Sequence, residues 1–177
     1  MAEEKQSHVL NTQKNTMKKA FLDYLWAGIF LSVLALAVVI AAIFNNEASY
    51  SAENAFYGVL LVLCIVLFFV CMALRRYLVF ARFNKIRSSV EKNVIITCKK
   101  VSFIFKPVRR HSGSIICVIF TDESGKKYYN VTKEIPDSEK KKLKAKLLNS
   151  KVVLICYGDT ECVRSFQVFS EGKEHPL

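Results

Sequence analysis

The sequence predicts an α+β membrane protein: an N-terminal transmembrane α-hairpin followed by a small five-stranded β-domain with one helix. Three observations predict it. Two uncharged apolar runs lie near the N-terminus, short β-rich segments with turn signals follow from Asn93, and basic residues flank the runs unevenly. With 177 residues, the chain has room for one or two domains.

The first run, "YLWAGIFLSVLALAVVIAAIF" (Tyr24 to Phe44), has 21 residues, and the second, "AFYGVLLVLCIVLFFVCMAL" (Ala55 to Leu74), has 20. At a rise of ~1.5 Å per residue each makes a helix of ~30 Å, the thickness of a hydrocarbon core. A surface helix of a soluble protein would carry a polar face, and neither run has one. A cleaved signal would have a shorter apolar core and a small-residue cleavage site, which "FNNEAS" does not supply.

The flanks orient the hairpin. Residues 1–22 carry Lys5, Lys14, Lys18 and Lys19, whereas the loop "NNEASYSAEN" (45–54) has two acids and no base. Beyond the second run come Arg75, Arg76, Arg82, Lys85 and Arg87, with no acid before Glu91. Basic flanks remain on the cytoplasmic side. The expected order is a cytoplasmic segment (1–22), transmembrane helix 1 (23–44), an external loop (45–54), transmembrane helix 2 (55–76) and a basic juxtamembrane segment (77–92). Both termini are then cytoplasmic in a multi-pass protein of the cell membrane, and those five basic residues lie at the membrane interface.

Gly28, Ser32 and Ala35 recur at helical spacing in the first run, and Gly58 lies in the second. Small residues of this kind let helices approach closely in lipid. Neither run has an ionisable residue in its interior, the usual mark of transport or proton relay. The hairpin therefore reads as an anchor.

From residue 93 to residue 170 the pattern is that of a cytoplasmic β-domain, with a flexible tail over 171–177. "NVIITCKKVSFIF" (93–105) is rich in β-branched and aromatic residues, and "KPVRRHSGS" (106–114) reads as a basic loop. "SIICVIFT" (114–121) is apolar on both faces, as an enclosed strand requires. "DESGKK" is a hairpin turn around Gly125, and "KYYNVT" (127–132) returns from it. "PDSEKKKLKAKLLNS" (136–150) is helical, with Asp137 or Ser138 as N-cap and Leu143 and Leu147 one turn apart. "KVVLICYG" (151–158) and "VRSFQVF" (163–169) complete five strands.

Three strands, a helix and two strands is the chain order of an OB-like barrel. An open α+β sheet with the helix across one face is the competing arrangement. In layout, a two-helix anchor followed by "VIFTDESGKKYYNV" and "KVVLICYGDTECVRSFQV" resembles small bacterial membrane proteins, NfeD-like in plan, with an OB-type cytoplasmic tail. The resemblance spans residues 93–169 and implies a fold, but no site residue.

Chemistry is sparse. Cys98, Cys117, Cys156 and Cys162 include no Cys-x-x-Cys pair, and His8, His111 and His175 fall in loops or termini, so no metal site and no cofactor is expected. Asp122, Glu123, Asp159 and Glu161 fall in turns, and no phosphate loop or nucleophile elbow occurs. No catalytic residues emerge, so the expectation is a non-enzymatic binding or scaffolding module with no small-molecule substrate.

The chain carries a formal net charge of +11, and +7 of it falls within residues 93–177. Lys99, Lys100, Arg109 and Arg110 alternate with Phe103, Phe105, Tyr128 and Tyr129, a combination that would suit a basic, aromatic ligand-binding surface. Partners consistent with it are anionic lipid, another membrane protein or, less readily, nucleic acid. A secreted effector that inserts a hydrophobic hairpin into a host membrane is the alternative.

Overall fold

The computed structural model describes residues 2–44, 52–86, 90–106, 114–169 and 175–176. Two long apolar helices come first, α1 (Ala2–Phe44) and α2 (Ala52–Asn84). The strands are β1 (Glu91–Thr97), β2 (Lys100–Lys106), β3 (Ser114–Thr121), β4 (Lys127–Pro136), β5 (Lys151–Tyr157), β6 (Cys162–Val168) and β7 (His175–Pro176). Helix α3 (Lys140–Leu147) lies between β4 and β5. The α+β class therefore holds. The chain divides into two compact units, Lys18–Leu78 and a second built from Met1–Met17 with Val79–Leu177.

In the helical unit the apolar side chains face outward. Segments Ser7–Ala41 and Phe56–Asn84 are each long and apolar enough to cross a membrane, and only 11% and 6% of their most apolar stretches are buried. The helices approach closely at Gly28, where an added Cβ would sit 2.8 Å from Phe69 Cβ. The small residue has a steric reason there, as its spacing implied. Arg76, expected at the membrane interface, is buried in this unit. Its guanidinium lies 3.5 Å from the centre of the Tyr24 ring and donates to the Met72 carbonyl at 2.7 Å.

The β unit is a mixed sheet in the order β1-β5-β6-β4-β3-β2, with β7 paired to β6. All ladders are antiparallel except β4/β6, which runs parallel over two residue pairs, Tyr129↔Cys162 and Asn130↔Val163. Against the five strands expected from the sequence, the described residues form seven. The run 93–105, expected to be one strand, breaks at Cys98–Lys99. Cys98 N donates to Ser150 O beside β5, and Lys99 N donates to Thr121 O on β3. The chain leaves one neighbour and joins another at that corner, so β1 and β2 become the two ends of the sheet path, with no ladder between them.

One smaller expectation changes, and one short strand is added. Neither Asp137 nor Ser138 caps α3, because Asp137–Glu139 form a 3-10 turn and Glu139 occupies the N-cap position without a side-chain bond. The tail, expected to be flexible over 171–177, supplies His175–Pro176 as a strand against Gln167 and Val168.

Alternation builds the core. Val101, Phe103, Val118, Phe120, Val152, Leu154, Val163 and Phe166 meet inside the sheet, and Leu147 of α3 closes over them. Each such side chain contributes ~1.5–3 kcal/mol on burial. The turn between β3 and β4 is held by Asp122, which accepts from Ser124 Oγ at 2.7 Å and from Lys126 N at 2.9 Å. Gly125 there takes φ +84°, a backbone region open to glycine.

Candidate functional site

Strand β3 is buried on both faces, because Ile116, Cys117 and Ile119 are covered although they lie outside the inner core. The same unit also buries apolar residues of the two long helices. Leu10 and Met17 of α1, Val79 and Phe83 of α2, and Ile86 just after α2 are all buried within the β unit. Phe83 packs edge-on against Tyr157 with ring centres 6.4 Å apart, and Lys14 Nζ reaches Ile86 O at 3.3 Å.

A buried polar cluster locks this arrangement. The β4/β6 ladder stops after two pairs, and the carbonyls beyond it need donors. Asn130 Nδ2 donates to Val163 O and Arg164 O, both at 3.1 Å. Gln13, 5% exposed, donates from Nε2 to Val131 O at 2.7 Å, with longer contacts to Arg164 O at 3.3 Å and Val163 O at 3.4 Å. Its Oε1 accepts from Tyr157 Oη–H at 2.8 Å. Burial pushes the Tyr157 phenol upward, so it remains a donor. One carboxamide from α1 therefore bridges three strands.

This clamp was missed by the sequence reading, which treated residues 1–22 only as a cytoplasmic segment. A signal was present. Leu10, Gln13, Met17 and Ala20 recur every three or four residues, and so do Val79, Phe83 and Ile86. Each set marks one covered helical face.

The residues expected to bind a ligand do not assemble into one surface. Phe103 and Tyr128 are buried in the inner core, on the same side of their strands as Val101 and Asn130. Phe105 is half-buried, with Lys140 Nζ 4.6 Å from its ring centre. Tyr129 is half-buried under Arg82, 4.9 Å away, and Arg82 also bonds Glu161 at 2.5 Å. Lys99 pairs with Glu123 at 3.3 Å, and Lys100 is exposed. Of the expected interface set, Arg75 and Lys85 are exposed. Arg87, Arg109 and Arg110 lie outside the described residues.

The chemistry of the described residues is quiet. Burial pushes the Cys156 thiol up to about 11 and the Cys162 thiol up to about 12, so both are protonated at neutral pH and are poor nucleophiles. Among the described residues no group of three His, Cys, Asp or Glu side chains could hold a metal ion. The acids in the turns are engaged with cations: Asp159 is bonded to Lys92 at 2.5 Å, which holds its carboxyl below the usual range. No family model, no curated protein and no solved structure matches the chain.

Proposed function

We propose that the chain is a two-pass protein of the cell membrane, with both termini cytoplasmic, whose β-domain works as a binding or scaffolding module. The observation that carries this is the inversion of exposure in the helical unit. Phe30 is 69% exposed, Leu61 64% and Val33 62%, over two helices of sufficient length. Apolar surface on that scale needs a cover, and a hydrocarbon core supplies one.

We read the β-domain as an OB-type barrel. Support comes from the strand path, in which the end strands β1 and β2 are halves of one chain run joined at Cys98–Lys99. The parallel β4/β6 pair and α3 between β4 and β5 suit the same topology. The NfeD-like plan, spans first and barrel after, belongs to this proposal. Gln13 ties the N-terminal part of α1 to three strands of the same unit, which suits a rigid module.

Two measurements test it. The chain should resist alkaline carbonate extraction, and a C-terminal tag should meet added protease only after cells are permeabilised. Release by carbonate, or digestion in intact cells, would overturn the topology. A photo-crosslinking residue placed at Ser124 or at Gln167 should capture partners in native membranes, and absence of adducts at both would overturn the module.

A further inference from the structure

Charge is sorted along the β-domain. Arg82–Glu161, Lys92–Asp159, Lys99–Glu123 and Arg164–Glu91 pair bases with acids. From Lys140 to Tyr157, by contrast, the chain has six lysines and no acid. Lys141, Lys142, Lys144, Lys146 and Lys151 are exposed, and among the described residues none of them is ion-paired.

Lys151, the last of these lysines, opens β5 and adjoins an apolar face that is exposed among the described residues. The register sets Ile95 next to Val153, Val153 next to Gln167, and Thr97 next to Lys151. Phe169 N donates to Lys151 O at 2.8 Å and extends the row. Ile96, Val152, Leu154 and Phe166 point into the core, so alternation turns Ile95, Val153 and Phe169 outward. Ile95 is 67% exposed and Phe169 54%.

We propose that this face docks an acidic segment of a partner protein carrying at least one apolar side chain. Carboxylates would meet the lysines of α3 and Lys151, and the apolar side chain would cover Ile95 and Phe169. The inference rests on the module reading and names its partner. Charge complementarity selects an acidic occupant. A bilayer fits less well, because Ile95 and Val153 lie flat in a sheet among Asn93, Thr97 and Gln167 and do not protrude from a loop. A nucleic acid fits less well too. The basic crescent has no arginine fork, and Phe169 alone makes no stacking platform.

The test uses the full chain in uncharged nanodiscs and a fluorescein-labelled dodecapeptide of glutamates with two phenylalanines. Comparison probes are the same peptide with serine for phenylalanine, a single-stranded oligonucleotide of equal charge, and anionic vesicles. Binding to the first peptide should exceed that to the other three. The double variant Ile95→Ser, Phe169→Ser should weaken it about tenfold, and Lys141→Glu with Lys142→Glu and Lys144→Glu at least as much. Melting of these surface variants should match that of the parent chain. An unchanged affinity in the double variant, or tighter binding of the oligonucleotide or vesicles, overturns the proposal. Adducts at Ser124 but none at Gln167, with no peptide binding, would sink this surface and leave the module standing.

Discussion

Leucine, valine and phenylalanine fill both units of the molecule, and the units treat them oppositely. In Lys18–Leu78 they face out, with Phe30 69% exposed, whereas in the β unit Phe120, Leu154 and Val152 are fully buried. The residue types are the same, so the difference lies in arrangement. Alternation with polar residues gives a strand one face to hide. An unbroken apolar run gives a helix no polar face, and the surroundings must adapt to it. The largest expected effect follows directly. Phe120→Ala should destabilise the β unit by about 3–5 kcal/mol, whereas Phe30→Ala should leave it unchanged. Thiol labelling of Cys98, Cys117, Cys156 and Cys162, all buried, reports unfolding of that unit under rising denaturant. Equal sensitivity to both truncations would break the contrast.

A charge sharpens it from the other side. Leu34, 53% exposed, lies in the first apolar run. Leu34→Asp should oppose insertion by about 3 kcal/mol and shift the chain from the carbonate-resistant pellet to the supernatant. The thiols of the β unit should stay protected. A chain that fractionates as before would argue that the exposed leucines meet protein or water instead of lipid.

The clamp is the place where the contrast is bridged, because α1 begins in the β unit and continues into the helical one. Gln13→Leu removes a carboxamide on which Val131 O and Tyr157 Oη–H both depend. The expected loss is about 1–3 kcal/mol, because the abandoned groups remain buried without partners. Tyr157→Phe deletes one bond together with its donor and should cost about 1 kcal/mol. Hydrogen exchange at β4 and β6 amides should quicken in the first variant more than in the second. The opposite order would show that the phenol, not the carboxamide, holds the helix in place.

How much of this was legible in the sequence depends on whether a feature is local. The apolar runs and the turn at Gly125 are written in consecutive residues, and so is the helix, expected over 136–150 and found over Lys140–Leu147. The double burial of "IICVIF" was visible, but its cause was not. Packing into the inner core explains one buried face of β3, whereas the burial of Ile116, Cys117 and Ile119 on the other has no local signal. Phe103 and Tyr128 are candidates for a ligand-binding surface by sequence because lysines surround them. Their parity with Val101 and Asn130 points them inward, and parity outranks neighbours along a strand. The corner at Cys98 carries no glycine or proline and only becomes visible through its bonds to Ser150 and Thr121.

The smallest effect tests whether the β interior is as dry as its packing implies. Cys156 and Cys162 titrate at about 11 and about 12 in the folded chain because burial disfavours the thiolate, against 9.0 for an exposed thiol. The unfolded chain therefore releases these protons first, and stability falls as pH rises. Below pH 8 the thiols contribute a constant amount. At pH 9 the unfolded thiols are half ionised and each loses about 0.4 kcal/mol, or RT ln 2. The loss grows until the pH passes the folded values. Replacing Cys162 by alanine should flatten the slope between pH 8.5 and 10.5 (an interval set by those shifts) even though the cavity lowers stability throughout. A slope that persists undiminished in Cys162→Ala and Cys156→Ala would assign it to other groups and leave the interior wetter than that of a closed domain.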